Sequence, residues 1–134
     1  MTTKNRYTSG RTCVYNLGFH IIWCTKYRRK VLTPQIEARL KDLLKEKAGE
    51  LEIEIVEMET MPHHVHLFVR SKPTYAPHFI VQQFKGYTSR ILREEFPELK
   101  SRLPSLWTRS YFCESVGCIS ADTIIRYIEN QKNH

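Results

Sequence analysis

Acidic side chains are missing from the first 36 residues, which carry seven basic ones: Lys4, Arg6, Arg11, Lys26, Arg28, Arg29 and Lys30. The rest of the chain balances, fourteen basic groups against fourteen acidic, so the whole formal net charge of +7 arises from that end. A one-sided basic segment suits a phosphate backbone, because each cation that neutralises a phosphate releases a condensed counterion. By charge alone, a solubilising face or a basic tail would look the same. Long apolar runs are also missing. Nothing approaches the roughly 18 apolar residues of a membrane span, and the opening MTTKNRYTSG lacks the hydrophobic segment of a secretory signal. A cytoplasmic protein with no membrane partner is expected. The four cysteines, Cys13, Cys24, Cys113 and Cys118, form no paired C-x-x-C motif, which argues against a zinc knuckle, and in the cytosol they are expected to stay reduced. No repeat, low-complexity tract or Gly/Ser-rich linker divides the chain. One domain over residues 1–134 is expected, with residues 1–12 as a flexible basic N-terminus.

What is present reads as alternating strands and helices. The β-branched and aromatic stretch VYNLGFHIIWCTKY (14–27) predicts a first strand, and KYRRK a basic exit loop. Thr33 and Pro34 mark a helix start, the threonine as cap and the proline at the first helical position. Ile36, Leu40, Leu43, Leu44 and Ala48 follow at helical spacing, so this helix should run to about Gly49 with that face buried. LEIEIVEME (51–59) alternates at Leu51, Ile53 and Ile55 and then shifts, which predicts a half-buried strand. VHLFVR (65–70) follows across a turn near Thr60-Met61-Pro62 as an antiparallel partner. A second helix is predicted from about His78 to Phe96, with Phe79, Ile80, Phe84, Tyr87, Ile91 and Leu92 as apolar positions. Gly86 inside it hints at a close backbone approach. After a polar loop, LWTRSYFCESV (106–116) predicts a fourth strand, and Ser120 can cap a last helix over residues 120–134. The order β-α-β-β-α-β-α fits a ferredoxin-like α+β sandwich, an antiparallel sheet with helices on one face, with one helix left over. The apolar residues Ile124, Ile125 and Ile128 of that helix need cover, from its own sheet or from a second copy.

Three of the six histidines fall in MPHHVHLFVR, residues 61–70. On a strand, His64 and His66 project to one face and Val65 to the other. Two imidazoles side by side make a two-point metal clamp, although two surface histidines alternating by chance would look the same. If the strand extends as far as His63, that residue falls on the Val65 face, and it is not expected to partner the pair. On the last helix Tyr127 and Gln131 lie one turn apart with Asn130 beside them, either as part of a site or as a solvated polar face.

Taken together, HVH closing a strand, YIENQ on a terminal helix, and FKGYTSR and LWTRSYFCESVG between them resemble the small single-tyrosine HUH transposases of bacterial insertion sequences, the IS200-like TnpA family. The resemblance runs from YNLGFHIIWCTKYRRKVL to YIENQ. It implies that His64 and His66 bind a divalent metal, Mg2+ or Mn2+, that Gln131 completes the ligand set, and that Tyr127 is the catalytic nucleophile. The family usually has an aspartate just before the HUH motif, where this chain has His63. Also implied are cleavage and rejoining of single-stranded DNA through a 5′-phosphotyrosine link, hairpins near the element ends as substrate, and a homodimer in which the tyrosine helix of one subunit completes the site of the other. Binding to DNA would place the protein at the nucleoid. Arg11, Lys26, Arg28, Arg29, Lys30, Lys85 and Arg90 are candidate phosphate contacts, and Tyr27 or Trp107 could stack on an unpaired base. Two other readings compete: a hairpin-binding module without catalysis, and an HUH nuclease of host repeat processing or replication initiation. Retention of all four site residues argues against the first, and the short chain against the second.

Overall fold

The computed structural model describes residues 17–118 together with Arg126 and residues 129–131. Four strands, β1 (Leu17–Cys24), β2 (Glu54–Met61), β3 (His64–Ser71) and β4 (Phe112–Cys118), form one antiparallel sheet in the order β2-β3-β1-β4. Helices α1 (Pro34–Leu51) and α2 (Pro77–Glu95) are the two crossovers, and a short α3 (Pro97–Arg102) follows. This is the ferredoxin-like βαββαβ arrangement. The expected terminal helix is described only at Arg126 and residues 129–131, which are helical; the remainder of residues 120–134, and all of residues 1–12, lie outside the described residues.

The two faces of the sheet differ in chemistry. Phe19, Ile21 and Trp23 of β1 alternate with Val65, Leu67 and Val69 of β3 to form an apolar face, and all are buried. Against it lie Ile36, Leu40, Leu43, Leu44 and Ala48 of α1 and Ile80, Val81, Phe84 and Leu92 of α2. Each such side chain contributes about 1.5–3 kcal/mol by leaving water. The opposite face carries His20, Ile22 and Cys24 from β1 and His64, His66, Phe68 and Arg70 from β3. Imidazoles and a guanidinium give this face the polar and ionisable groups that the apolar face lacks.

Several boundaries differ from the sequence expectation, each for a local reason. Thr33 does cap α1, its hydroxyl accepting from Ile36 N at 3.4 Å. The helix then continues through Leu51 to a left-handed Glu52 (φ 58°), whose N–H bonds back to Ala48 and Gly49. Leu51 is therefore helical, and β2 starts only at Glu54. The shift in β2 alternation is a bulge between Ile55 and Glu57. Pro62 and His63 form the turn into β3, one residue later than expected. On α2, Phe79 is exposed and sits beside Tyr75, with ring centroids 5.1 Å apart. A methyl group on Gly86 would meet nothing within 4 Å, so no close approach explains that glycine.

Candidate active site

The β2-β3-β1 part of the open face forms a cavity of about 460 Å3 lined by His20, Glu57, Glu59, His66, Leu67, Phe68 and Gln131. Register explains the gathering. Ile22 pairs with His66 and His20 with Phe68, so His20 and His66 are diagonal neighbours on one face. Glu59 pairs with His66 and Glu57 with Phe68, which puts both carboxylates on that face too. The His20 and His66 rings lie 4.3 Å apart between centroids, and their Nε2 atoms are in direct contact. Glu59 Oε1 is 3.6 Å from His66 Nδ1. One of the His20 and His66 Nε2 atoms must donate to the other, so the acceptor's lone pair is engaged within the histidine pair.

His64 shares the strand face with His66 but does not line the cavity. Its Nδ1 is 2.9 Å from His63 Nδ1, with ring centroids 4.8 Å apart. This corrects the expectation that His63 does not partner the pair. β3 begins at His64, so His63 belongs to the turn and strand alternation does not apply to it. One of the two Nδ1 atoms must donate to the other. If His64 donates, its Nε2 lone pair is left free for a ligand. Burial holds His20 below the usual histidine range, with His66 adding to the effect and Glu114 opposing it. Burial does the same for His64, reinforced by His63, His66 and Arg28 against Glu59. Both are therefore neutral, and able to act as ligands, at neutral pH.

Imidazole, amide and carboxylate are ligand types that suit Mg2+ or Mn2+. Two imidazole nitrogens converge, and a neutral amide and two carboxylates face the same cavity. Among the described residues no group of three or more His, Cys, Asp or Glu side chains could hold a metal ion, so a metal here would need a further ligand such as the Gln131 amide. Sequence reasoning named His64, His66 and Gln131; the structure brings His66 and Gln131 together and adds His20, which it missed. The signal for His20 was weak: a polar residue on the Ile22 and Cys24 phase of β1, meaningful only once the β1–β3 register is known.

The basic exit loop abuts this site. Thr25 N donates to His63 O at 2.9 Å, and Leu32 N to Pro62 O at 3.0 Å. Residues Lys26–Arg28 make a 3-10 turn in which Tyr27 (φ 58°) and Arg28 (φ 53°) are both left-handed. For residues bearing side chains that costs of order 1–3 kcal/mol each. The turn leaves Tyr27, Arg28, Arg29 and Lys30 exposed, with Lys26 half-buried beside them. Lys85 differs from its expected role. Its ammonium turns inward to the carbonyls of Thr108 (2.6 Å), Arg109 (3.2 Å) and Ser110 (3.3 Å), where burial lowers its pKa. Arg90 is exposed on α2, in the helical layer on the far side of the sheet from the histidines. Trp107 is core: it is buried, its Nε1 donates to Thr88 Oγ1 at 3.1 Å, and its ring meets Trp23 edge-on. Arg11 and Tyr127 lie outside the described residues.

The chain resembles known proteins along nearly its full length. The family model described as "Transposase IS200 like" matches residues 13–131. The ISDra2 transposase TnpA of Deinococcus radiodurans is 39% identical over 124 residues, covering 91% of this chain and 89% of that protein. The transposase of insertion sequence element IS200 from Salmonella typhimurium is 27% identical over 119 residues, covering 87% and 78%. A crystal structure of a Deinococcus radiodurans protein assigned as a transposase superposes with a TM-score of 0.74 at 38% identity, covering 92% of this chain and 97% of that one. A REP-associated tyrosine transposase bound to a REP hairpin shares the fold, with a TM-score of 0.59 at 14% identity, covering 94% of this chain and 73% of that one.

Proposed function

The chain belongs to the IS200-like transposases, enzymes that cut and rejoin DNA, and on that footing we propose that it transfers single DNA strands through a covalent link to Tyr127. The observation that carries this reading is the cavity in which Gln131 meets His66 on the polar face of the sheet. Tyr127 precedes Gln131 by four positions, in a stretch whose described residues are helical. On a helix, an i to i+4 spacing sets two side chains one turn apart on one face.

In this reading the Tyr127 oxygen attacks a backbone phosphorus, the P–O3′ bond breaks, and the products are a 5′-phosphotyrosine and a free 3′-hydroxyl. A free phenol has a pKa near 10, so the nucleophile must lose its proton on attack; Glu57 and Glu59 are the carboxylates that line the cavity. A second 3′-hydroxyl reverses the step, forming a new phosphodiester and releasing the tyrosine. Phosphoester bonds are conserved throughout, so the rejoining needs no nucleotide cofactor. A divalent cation, Mg2+ or Mn2+, held by His64, His66 and Gln131 would polarise the scissile phosphate and align it for attack. The chain's own part is to keep the His64 imidazole neutral through burial. Lys26, Arg28, Arg29 and Lys30 border the site and supply phosphate contacts. The substrate in this reading is single-stranded DNA bearing hairpins, and the working form is a homodimer.

The test is a denaturing gel of the protein mixed with a labelled single strand carrying the hairpin of its own element, with Mn2+ or Mg2+. A metal-dependent adduct that disappears in Tyr127→Phe supports the reading. Tight hairpin binding with no adduct under either metal would replace it with a non-catalytic binding module.

A further inference from the structure

A second hollow, of about 350 Å3, opens across β1 from the histidine cavity, with Ile22, Cys24, Arg28, Thr108, Ser110 and Phe112 on its walls. Its size falls at the lower end of the ~300–1,000 Å3 typical of small-molecule sites. Ile22 is the register partner of His66 on β3 and of Phe112 on β4. The hollow therefore begins one strand spacing, roughly 4.8 Å, from the strand that bears the histidines. A DNA strand crossing the face perpendicular to the strands would meet both.

Three observations define the occupant. Phe112, on the wall, is 52% exposed on its strand, and Tyr27, the sequence neighbour of the lining residue Arg28, is 64% exposed. Arg28 is on the wall and Lys26, Arg29 and Lys30 are beside it, whereas no carboxylate is among the lining residues. The far wall is fixed in advance, because Lys85 holds the carbonyls of Thr108, Arg109 and Ser110, and Thr108 N is bonded to Cys24 O at 3.0 Å. Aromatic faces beside cations with no acid nearby suit a base and its phosphate, since every base has a π-face.

We propose that this hollow binds one unpaired nucleobase of the strand whose phosphate lies at the histidine cavity, with Phe112 as the stacking surface and Arg28 on the adjoining phosphate. The inference rests on the single-strand reading above. Phe112 and Arg28 then set which nucleotide next to the reacting phosphate is tolerated, and how firmly it is held.

The experiment uses the full chain and a short oligothymidylate containing one 5-iodouracil. Affinity is measured by fluorescence anisotropy without metal, and photo-crosslinks are mapped by mass spectrometry. Phe112→Leu should weaken binding about tenfold, the scale of one lost base–aromatic stack, Phe112→Tyr should restore it, and wild-type crosslinks should fall on Phe112, Tyr111 or Tyr27. Because the crosslinks are read on the wild type, the result does not depend on how well a variant folds. Wild-type binding with crosslinks elsewhere and no loss in Phe112→Leu would overturn the base pocket and leave the strand-transfer reading intact. Failure of the wild type to bind any single strand would remove both.

Discussion

Replacing Lys85 with methionine separates a structural cation from a DNA contact. The Lys85 ammonium donates to three consecutive loop carbonyls at 2.6, 3.2 and 3.3 Å. A hydrogen bond from a charged donor is worth about 1.5–3 kcal/mol net. The three do not add, because Arg109 and Ser110 are exposed and their carbonyls can turn to water once the amine is gone. Removing a partly desolvated charge also returns some energy. The expected loss is thus that of one such bond, about 2 kcal/mol, which at an m-value of about 2 kcal/mol/M lowers the urea midpoint by about 1 M. Urea unfolding followed by circular dichroism measures it, with hydrogen exchange in residues 108–110 as the local readout. A phosphate contact would behave differently: Lys85→Met would leave the midpoint unchanged and reduce the salt dependence of DNA binding by about one unit. That pair of results would refute the structural role.

His20→Asn should lower Mn2+ affinity about 10- to 100-fold, as loss of a residue orienting a metal ligand does; electron paramagnetic resonance of free Mn2+ reads this without DNA, and unchanged affinity would count against His20. Gly86→Ala should stabilise the protein by up to about 1 kcal/mol in thermal unfolding, because the helix gains propensity and the new methyl has no neighbour within 4 Å. Arg39 hydrogen-bonds Glu95 across α1 and α2 at 2.8 and 3.0 Å and holds that carboxyl below its usual range. A folded pKa below the unfolded one gives stability that is present above the ordinary carboxylate pKa and lost as pH falls through the lowered value. The deficit of Glu95→Gln relative to wild type should therefore be visible at neutral pH and close in acid; a gap that persists in acid would contradict this.

Local signals in the sequence carried further than long-range ones. The Thr33-Pro34 start of α1 was legible because capping involves only neighbouring residues, and the buried stripe of α1 followed from helical spacing alone. The start of β4 was not. Residues 106–111 look like a strand, yet their backbone is engaged otherwise, in a bridge between Trp107 and Thr25 and in the carbonyls held by Lys85. Lys85 itself looked like any helical lysine, since nothing local shows that its chain can reach a loop more than twenty residues later. At the site, the His64 and His66 pair was visible as an alternation. His20 and the two glutamates were hidden because strand register, set by the whole fold, decides which of them face the same cavity. The His63 to His64 contact was missed because His63 belongs to the turn before β3, where strand alternation gives no guide to side-chain direction.

The first measurement to make is the site of covalent attachment. The protein is reacted with its hairpin-bearing single strand and Mn2+, digested with nuclease and protease, and the nucleotide-bearing peptide is sequenced by mass spectrometry. Strand transfer through the terminal tyrosine requires a single modification, a 5′-linked nucleotide on Tyr127. A nucleotide on any other residue, or a cleaved strand with no protein attached, would contradict it.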